Sequence, residues 1–498
     1  MVATEIKRYV PLAAWVAVVF TLVCVTGKII GSGFLPPDDA LVHAAKVISS
    51  KPWSEILVLR DGFIIDPHPG WQAILGLVHS CLHCNTETLV VLPVAGLMIL
   101  FSLAALLWLR WPESWLGALL IAAVFCPAFI GRLALGRPYV FTMAVYLVLL
   151  GMWARVEERR PGLLEILATL FLIAAAAWVH GSFYQLLLPA GGLLLAGRWR
   201  QSFWYGALWA AGSFLGASFT GHPWIFLVQC VRHLFGVFGD YTLTSQLVGE
   251  LTPTDGEGAI VMVVAGMLLW RARSPDWKAQ ELLNPIFMMG VLGWVLGLKV
   301  GRFWSDWGLP ATVLWLALQL QKQLQQSIAF DSWQRLAVTL GLAAAVFLGI
   351  TNDRSNRWTW NISKQYLTQE NADLKGWLPE NGGIVYSVDM AVFDEMFYKN
   401  PTAPWRYALG FESALMRPDD LAVVRKVQWN SGDLRGYGPW VKKMRRQDRL
   451  IISTAWMPTT GPAHTVASIP ELEWFRADNG WSIGRLPQKP ISPRSIGK

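Results

Sequence analysis

The stretch YVPLAAWVAVVFTLVCVTGKIIGSGFLPPDDALVHAAKVI, residues 9–48, decides the fold class. Its first part, residues 9–30, is an apolar run that can cross a bilayer as a helix, because a transmembrane helix needs about 20 apolar residues. Two adjacent carboxylates, Asp38 and Asp39, follow shortly afterwards, and His43 lies one helical turn beyond Asp39. The stretch therefore predicts a membrane span with an acidic helix start just outside it.

The whole chain has the composition of a polytopic membrane protein. Its 498 residues are 54% hydrophobic and only 15% charged, whereas soluble proteins carry about 25% charged residues. Much of the basic excess behind the net charge of +8 lies in short loops between apolar runs, which is typical of membrane topology rather than of nucleic-acid binding. We therefore expect an integral membrane protein with no nucleic-acid partner. The start of the chain lacks a small-residue cleavage site and predicts a retained signal anchor.

Apolar windows of about 15–22 residues recur along the first 350 residues and predict about eleven transmembrane helices. They lie near residues 9–30, 88–109, 114–130, 139–154, 163–180, 184–197, 203–219, 258–270, 284–301, 306–320 and 334–350. Basic clusters precede the first window and follow every second one, so the positive-inside rule places the N-terminus in the cytoplasm. Loops 31–87 and 220–257 then face outside. The first is expected to carry two amphipathic surface helices, and the second carries another candidate.

Residues 351–498 differ in composition and predict a second domain. They are polar, mix charges of both signs, and contain strand-like pieces such as GGIVYSVDM and DRLIISTAW. By the topology above, this part is a soluble α+β domain on the outer face, attached to a transmembrane domain of residues 1–350. Its last stretch, residues 484–498, has the composition of a disordered tail.

Most of the unusual polar residues collect on the predicted outer face. A carboxylate at the membrane interface can act as a general base or hold a divalent cation, and an arginine offers a planar fork that suits phosphate oxygens. We therefore take the acid pair as candidate catalytic residues and the basic residues and histidines as candidate substrate-binding residues. These are Asp38 and Asp39, and His43, His68, Arg132, Arg137, His180, Lys299 and Arg302.

Several of these candidates also have a simpler explanation. Helix capping would account for one acid of the pair, and a proline-rich turn would account for the segment around His68. Arg132 and Arg137 could snorkel to lipid phosphates, and a buried hydrogen bond would satisfy His180. Arg302 could form a structural ion pair with an aspartate four residues later. These alternatives stay open at this point.

The order of the motifs resembles the GT-C superfamily of integral-membrane glycosyltransferases, which includes protein O-mannosyltransferases, the lipid A aminoarabinose transferase and the catalytic subunit of oligosaccharyltransferase. PDDALVHAAKVI is similar to the acidic first outer loop of that family, with Asp38 at the usual catalytic position and Asp39 at its acidic neighbour. HPGWQAILG resembles its His-Pro-Pro-Leu stretch, with Gly70 in place of the second proline. GRFWSDWGLPATVLWLAL resembles its Arg-Tyr…Pro-Ala-Leu stretch, which it matches at Arg302, Phe303, Pro310 and Ala311.

The resemblance implies transfer of a sugar from a polyprenyl-phosphate-linked donor to a glycan, lipid or protein acceptor, with inversion. Asp38 would accept a proton from the acceptor hydroxyl, with Asp39 as the alternative base. Arg302, aided by other basic residues of the outer face, would neutralise the leaving phosphate. The histidines and the second acid would position the donor or the acceptor. A divalent cation, Mg or Mn, held by the acid pair is left open, because family members with a diphosphate donor often use one.

Other function classes also remain open. A lipid-carrier flippase or transporter would need ionisable residues near the membrane midplane, and few are seen there. In a non-catalytic scaffold for envelope assembly, the acid pair would only cap a helix. The sequence contains no clear counterpart of the Trp-Trp-Asp-type acceptor motif of the oligosaccharyltransferase, which argues against asparagine glycosylation. We expect a bacterial inner membrane, with the active site facing the periplasm.

Overall fold

The computed structural model describes most of the chain. The described residues are 9–62, 66–156, 160–239 (236–239 without their side chains), 245, 247–254, 257–273, 277–429, 434–453, 469–477 and 480–487. Residues 488–498 of the expected disordered tail lie outside this set, as do parts of the basic clusters on which the predicted orientation depends.

Helices are present at all eleven predicted apolar windows. The helices up to residue 351 are α1 (Val10–Gly31), α2 (Asp39–Ser49), α3 (Trp53–Ile56), α4 (Pro69–Leu82), α5 (Thr86–Leu106), α6 (Glu113–Phe125), α7 (Pro127–Leu133), α8 (Pro138–Arg155), α9 (Leu163–Val179), α10 (Leu188–Leu195), α11 (Trp199–Ser218), α12 (Pro223–Gly239), α13 (Gly258–Ala272), α14 (Pro285–Gly297), α15 (Gly301–Phe303), α16 (Leu309–Ser327) and α17 (Trp333–Thr351). A 3₁₀ turn, Phe183–Leu187, precedes α10, and a π-helical turn, Trp304–Gly308, joins α15 to α16.

Fewer helices have the length and composition of a membrane span than there are predicted windows. Among the described residues, α1, α5, α8 and α17 are each long and apolar enough to do so. Two bent pairs, α6 with α7 at 112° and α11 with α12 at 111°, bring the number to six if each pair is one broken span. The chain is therefore a helical membrane protein, while eleven spans and their orientation stay predictions.

Close helix contacts in the transmembrane part depend on small residues. Helices α9 and α11 pack against each other, and a Cβ atom on Gly216 of α11 would lie 2.3 Å from the carbonyl oxygen of Ala174 in α9. Gly212, one turn earlier, lies against Ile173 in the same way. Small residues let helix backbones approach closely, which is the main source of helix association where lipid tails remove the hydrophobic advantage.

The loop of residues 31–87, predicted to face outside and called the first outer loop for that reason, forms its two predicted helices, but α2 is not a surface helix. Residues 40–45 are all buried, because α2 is enclosed between the transmembrane helices and the C-terminal part of the chain. Val42 and Ala45 belong to the core of the C-terminal domain, whereas Leu41 and Ala44 pack with the start of α5. Helix α4 does keep exposed apolar side chains at Leu77 and Leu82, as an interfacial helix requires.

The C-terminal part is an α+β domain, as predicted, and the first outer loop extends it. Its strands are β1 (Ile384–Tyr386), β2 (Arg406–Tyr407), β3 (Arg449–Ser453), β4 (Glu473–Arg476) and β5 (Trp481–Arg485), and its helices are α18 (Met390–Lys399), α19 (Pro418–Trp429) and α20 (Gly438–Lys443). The strand order is β2-β1-β3-β5-β4, parallel from β2 to β3 and antiparallel from β3 to β4. Val58 N donates to Tyr407 O at 2.9 Å, and Arg60 N donates to Leu415 O at 2.8 Å. The loop and the domain therefore fold as one unit.

Candidate active site

A cavity of 440 Å³ lies where the first outer loop, the ends of several transmembrane helices and the C-terminal domain meet. Seven of the nine residues predicted from the sequence line it: Asp38, Asp39, His43, His68, Arg137, His180 and Arg302. Arg132 lies behind the wall and bonds to residues around it, whereas Lys299 is exposed and is not part of the lining. The acid pair and Arg302 therefore share one cavity, although they are more than 260 residues apart in sequence.

The acid pair stands at the first turn of α2 and faces an arginine. Asp38 is the N-cap residue of α2, yet its side chain makes no capping hydrogen bond. Both of its oxygens accept from Arg137 instead, with Nε 2.8 Å from Oδ1. The Asp39 carboxylate is 3.5 Å from Arg137 Nε, and its side chain keeps 40% of its exposure. Ion pairing, and not helix capping, explains how Asp38 is held.

Asp39 differs from its neighbour in how easily it takes up a proton. Although 40% of its side chain stays exposed, the surrounding protein removes much of the water that would stabilise its charge, and this desolvation raises its pKa to about 6. Arg137 lowers this pKa, and the adjacent Asp38 raises it again. A carboxylate with a pKa near the operating pH is well suited to general-base work, because it is ionised at neutrality and still binds a proton strongly.

Three arginine guanidinium groups surround the ring of Tyr139 at the start of α8. The guanidinium carbons of Arg132, Arg137 and Arg302 lie 4.6, 5.8 and 5.7 Å from the ring centre. Arg132 lies in the last turn of α7 and Arg137 directly precedes α8, and the turn between them needs Gly136 because that residue adopts a φ of +64°. The sequence motif GRLALGRP thus brings two of the three cations to the same aromatic ring.

Carboxylates of the protein neutralise these arginines. Arg302 Nε donates to Asp306 Oδ2 at 3.0 Å, so the ion pair expected as an alternative is present. Arg132 Nη2 donates to Asp306 Oδ2 and to Glu250 Oε2, both at 2.9 Å. Arg137 Nη1 donates to Glu250 Oε1 at 2.6 Å. Snorkelling to lipid is therefore not how these arginines are satisfied in this structure.

Glu250 is a residue of this site that the sequence reasoning missed. It comes from a 3₁₀ turn, Gly249–Leu251, in the second outer loop. Burial raises its pKa, but Arg137 and Arg132 outweigh burial and hold the pKa well below its usual range. Glu250 is thus a carboxylate among the arginines. The only signal in the sequence was an acid in an outer loop, with no spacing that linked it to the arginines.

Three histidines form a cluster that lines the cavity, in which His68 stacks on His180 and meets His43 edge to face. The ring centres of His43 and His68 are 5.0 Å apart, and those of His68 and His180 are 5.2 Å apart. Burial lowers the pKa of His43 and of His68, so both imidazoles are neutral near pH 7. The Nδ1 atom of His180 is buried without a hydrogen-bond partner among the described residues. Neutral imidazoles offer both a donor and an acceptor, as sugar hydroxyls require.

Gly70 explains how this stack is assembled. A Cβ atom at this position would lie 2.6 Å from the ring of Trp178 in α9. A larger residue would therefore push the start of α4, which carries His68, away from the end of α9, which carries His180. The glycine that replaces a proline in the expected motif has a packing reason.

The C-terminal domain supplies cavity residues that the sequence did not indicate. Met390 and Asp394 from α18, and Glu412 from the segment after β2, all line the cavity. Glu412 forms an ion pair with His233 of α12. Predicting these residues required knowledge of how the domain docks on the first outer loop.

The residues present do not fit a metal ion. Among the described residues, no group of three or more His, Cys, Asp and Glu side chains is arranged to hold one. Both oxygens of Asp38 are taken by Arg137, so the acid pair alone offers too few free ligands for Mg or Mn, which prefer about six oxygens.

Comparison with known proteins finds likeness in structure only. No protein-family profile and no curated protein sequence matches the chain. The oligosaccharyltransferase of Archaeoglobus fulgidus, solved with a tethered acceptor peptide, matches with TM-score 0.49 and 12% identity over 91% of this chain and 70% of its own. The arabinofuranosyltransferase AftD from Mycobacteria matches with TM-score 0.44 and 14% identity over 97% of this chain and 40% of its own.

Neither likeness establishes a family or a reaction for this chain. Because both TM-scores are below 0.5 and this chain spans less than half of the length of AftD, any statement about its reaction depends on the residues of its own cavity.

Proposed function

We propose that this protein is a membrane glycosyltransferase that moves a sugar from a polyprenyl-phosphate-linked donor to an acceptor hydroxyl. The observation that carries the proposal is that one cavity is lined both by the acid pair, Asp38 and Asp39, and by Arg302. Glycosyl transfer needs a base where the acceptor loses its proton and positive charge where the phosphate departs. One cavity that contains both groups meets this requirement.

Asp39 takes the role of general base. Both oxygens of Asp38 accept hydrogen bonds from Arg137. Asp39 is held less closely, at 3.5 Å from that arginine, and has a pKa of about 6. The acceptor oxygen attacks the anomeric carbon as its proton moves to Asp39, and the bond from that carbon to the phosphate oxygen breaks. A single displacement of this kind inverts the anomeric centre. Asp38, the position expected from the family resemblance, holds Arg137 in place.

The phosphate of the donor binds at the arginine cluster. Arg302 lines the cavity, pairs with Asp306 and retains 24% of its side-chain exposure, so it is the arginine that an incoming anion meets first. Arg132 and Arg137 are matched by Glu250 as well as by aspartates, so a phosphate that binds more deeply must compete with Glu250. The hydrocarbon tail of the donor would lie between the apolar helices.

The three clustered histidines position sugar hydroxyl groups in this proposal. Their neutral rings are at the wall next to Asp39, since His43 lies one turn further along α2. Location in a bacterial inner membrane with the cavity towards the periplasm is part of the same proposal, because polyprenyl-linked sugars are used on that side. The identity of the sugar and of the acceptor is for the assay to decide.

Reconstitution of the full chain into liposomes with a panel of radiolabelled polyprenyl-phosphate sugars tests the proposal. We expect sugar transfer to an added acceptor extract and release of polyprenyl phosphate. Translocation of the lipid without transfer would instead identify a flippase. The absence of both transfer and translocation would indicate a scaffold. Each of these two results would overturn the glycosyltransferase proposal.

A matched pair of variants locates the phosphate site. Arg302→Gln should lower kcat at least about 100-fold, the scale of losing one charge-stabilising group in an active site. Lys299→Gln, three residues earlier and outside the cavity lining, should leave the rate within about twofold. Equal losses in the two variants would mean that the position of Arg302 in the cavity is irrelevant.

A further inference from the structure

Asp394 is a buried carboxyl group that the proposed mechanism does not use. It belongs to the second turn of α18 in the C-terminal domain and lines the same cavity as the acid pair. The residue is only 5% exposed, and its Oδ1 atom has no hydrogen-bond partner among the described residues. Buried polar atoms are nearly always hydrogen-bonded, so an unpaired oxygen at a cavity wall indicates a contact for a bound molecule.

The surroundings of Asp394 favour its neutral form. Burial raises its pKa well above the usual range, and the negative charges of Asp39 and Asp38 raise it further, while Arg137 opposes this shift. The adjacent Glu395 points elsewhere, because its carboxylate pairs with Lys364. A protonated carboxyl has one O–H donor and several acceptor lone pairs, which is the combination that a hydroxyl group complements.

We infer that Asp394 positions a sugar by exchanging hydrogen bonds with one of its hydroxyl groups. This inference rests on the proposed function and adds to it a residue from the C-terminal domain. Rotation about the bond from Cβ to Cγ is soft, so either oxygen can turn towards the cavity without moving α18. Met390, one turn earlier on the same helix, also lines the cavity and offers an apolar surface to the face of a sugar ring.

The shared chemistry, a sugar hydroxyl next to the acid pair, has two sources: the donor sugar and the acceptor glycan. A binding experiment with the full chain in nanodiscs examines the first source. The probes are a polyprenyl phosphate and the sugar-bearing polyprenyl phosphate of the panel that the wild type binds most tightly. The Kd of the bare lipid divided by the Kd of the sugar-bearing lipid isolates the contribution of the sugar to binding.

Asp394→Leu should reduce this ratio about 3- to 10-fold, the effect of one uncharged hydrogen bond, and leave binding of the bare polyprenyl phosphate unchanged. Asp394→Asn is the matched control, because an amide keeps a donor and an acceptor, and it should retain most of the sugar preference. An unchanged ratio together with a raised KM for the acceptor in Asp394→Leu would assign the contact to the acceptor.

Several results would overturn the inference. An unchanged sugar preference together with an unchanged acceptor KM in Asp394→Leu would overturn it. Equal losses of sugar preference in Asp394→Leu and Asp394→Asn would also overturn it. The thermal midpoint of unfolding distinguishes sugar binding from a structural role. Replacing an unpaired buried carboxyl by an apolar side chain should keep or raise the midpoint, whereas loss of a structural hydrogen bond would lower it. Since the nanodisc measurement reports binding, a wild type that binds the glycosylated lipid without transferring sugar would overturn only the proposed function.

Discussion

The role of Asp39 as general base makes a prediction about the pH dependence of the reaction. Its pKa is raised from the ordinary value of 3.8 to about 6, chiefly by burial. A base must be deprotonated to act, so activity should fall as the pH drops through 6. From pH 7 to pH 5 the deprotonated fraction goes from about 91% to about 9%, and kcat/KM should fall about tenfold. An aspartate with an ordinary pKa would lose only about 6% of its deprotonated fraction over this range.

Variants of the neighbouring residues should move this profile in defined directions. Arg137 lowers the pKa of Asp39 and Asp38 raises it. Removal of the charge in Asp38→Asn should therefore shift the acidic limb of the profile to lower pH while some activity remains. Asp39→Asn should reduce kcat about 100-fold or more, the typical contribution of a general base, with no titration near pH 6.

The assay is transfer of a labelled sugar by purified, reconstituted protein, with initial rates taken from pH 5 to pH 8. Binding of polyprenyl phosphate is measured at each pH, so that loss of donor affinity is not mistaken for loss of the base. A rate that stays flat down to pH 5 would refute the reasoning. Complete loss of activity in Asp38→Asn together with an active Asp39→Asn would move the base to Asp38.

Two further predictions concern the arginine cluster and the helix that supports it. Glu250→Gln should lower the Kd for polyprenyl phosphate about fivefold, because it frees donors on Arg137 and Arg132; weaker binding, measured in nanodiscs, would mean that Glu250 orders the arginines instead. Gly293→Ala should lower the thermal midpoint of unfolding, because a Cβ there would lie 2.3 Å from the Cα of Gly308 in the π-helical turn, and overpacking costs about 1–3 kcal/mol. Gly266→Ala, with open space around it, is the control and should not lower the midpoint. Equal midpoints in the two variants would contradict the close packing of α14 on the turn.

The sequence was informative about the parts of the site that local pattern determines. A doubly acidic helix start, a His-Pro helix start and an arginine just before an apolar helix can each be seen in a few consecutive residues. Seven of the nine predicted residues line one cavity for this reason. The sequence did not decide between ion pairing and the alternatives of helix capping and snorkelling. The ion pairs of Arg137 with Asp38 and of Arg132 with Glu250 join residues about 100 or more positions apart.

The amino-acid sequence by itself determined the class of the protein, the positions of its apolar helices and the C-terminal α+β domain, because hydrophobic length and periodicity are local properties of the chain. Only the tertiary structure decided that α2 is enclosed, that Glu250 lies among the arginines, and that Asp394 and Glu412 reach the cavity. These outcomes depend on long-range packing and on which charges lose water together. Neither is encoded in the spacing of neighbouring residues.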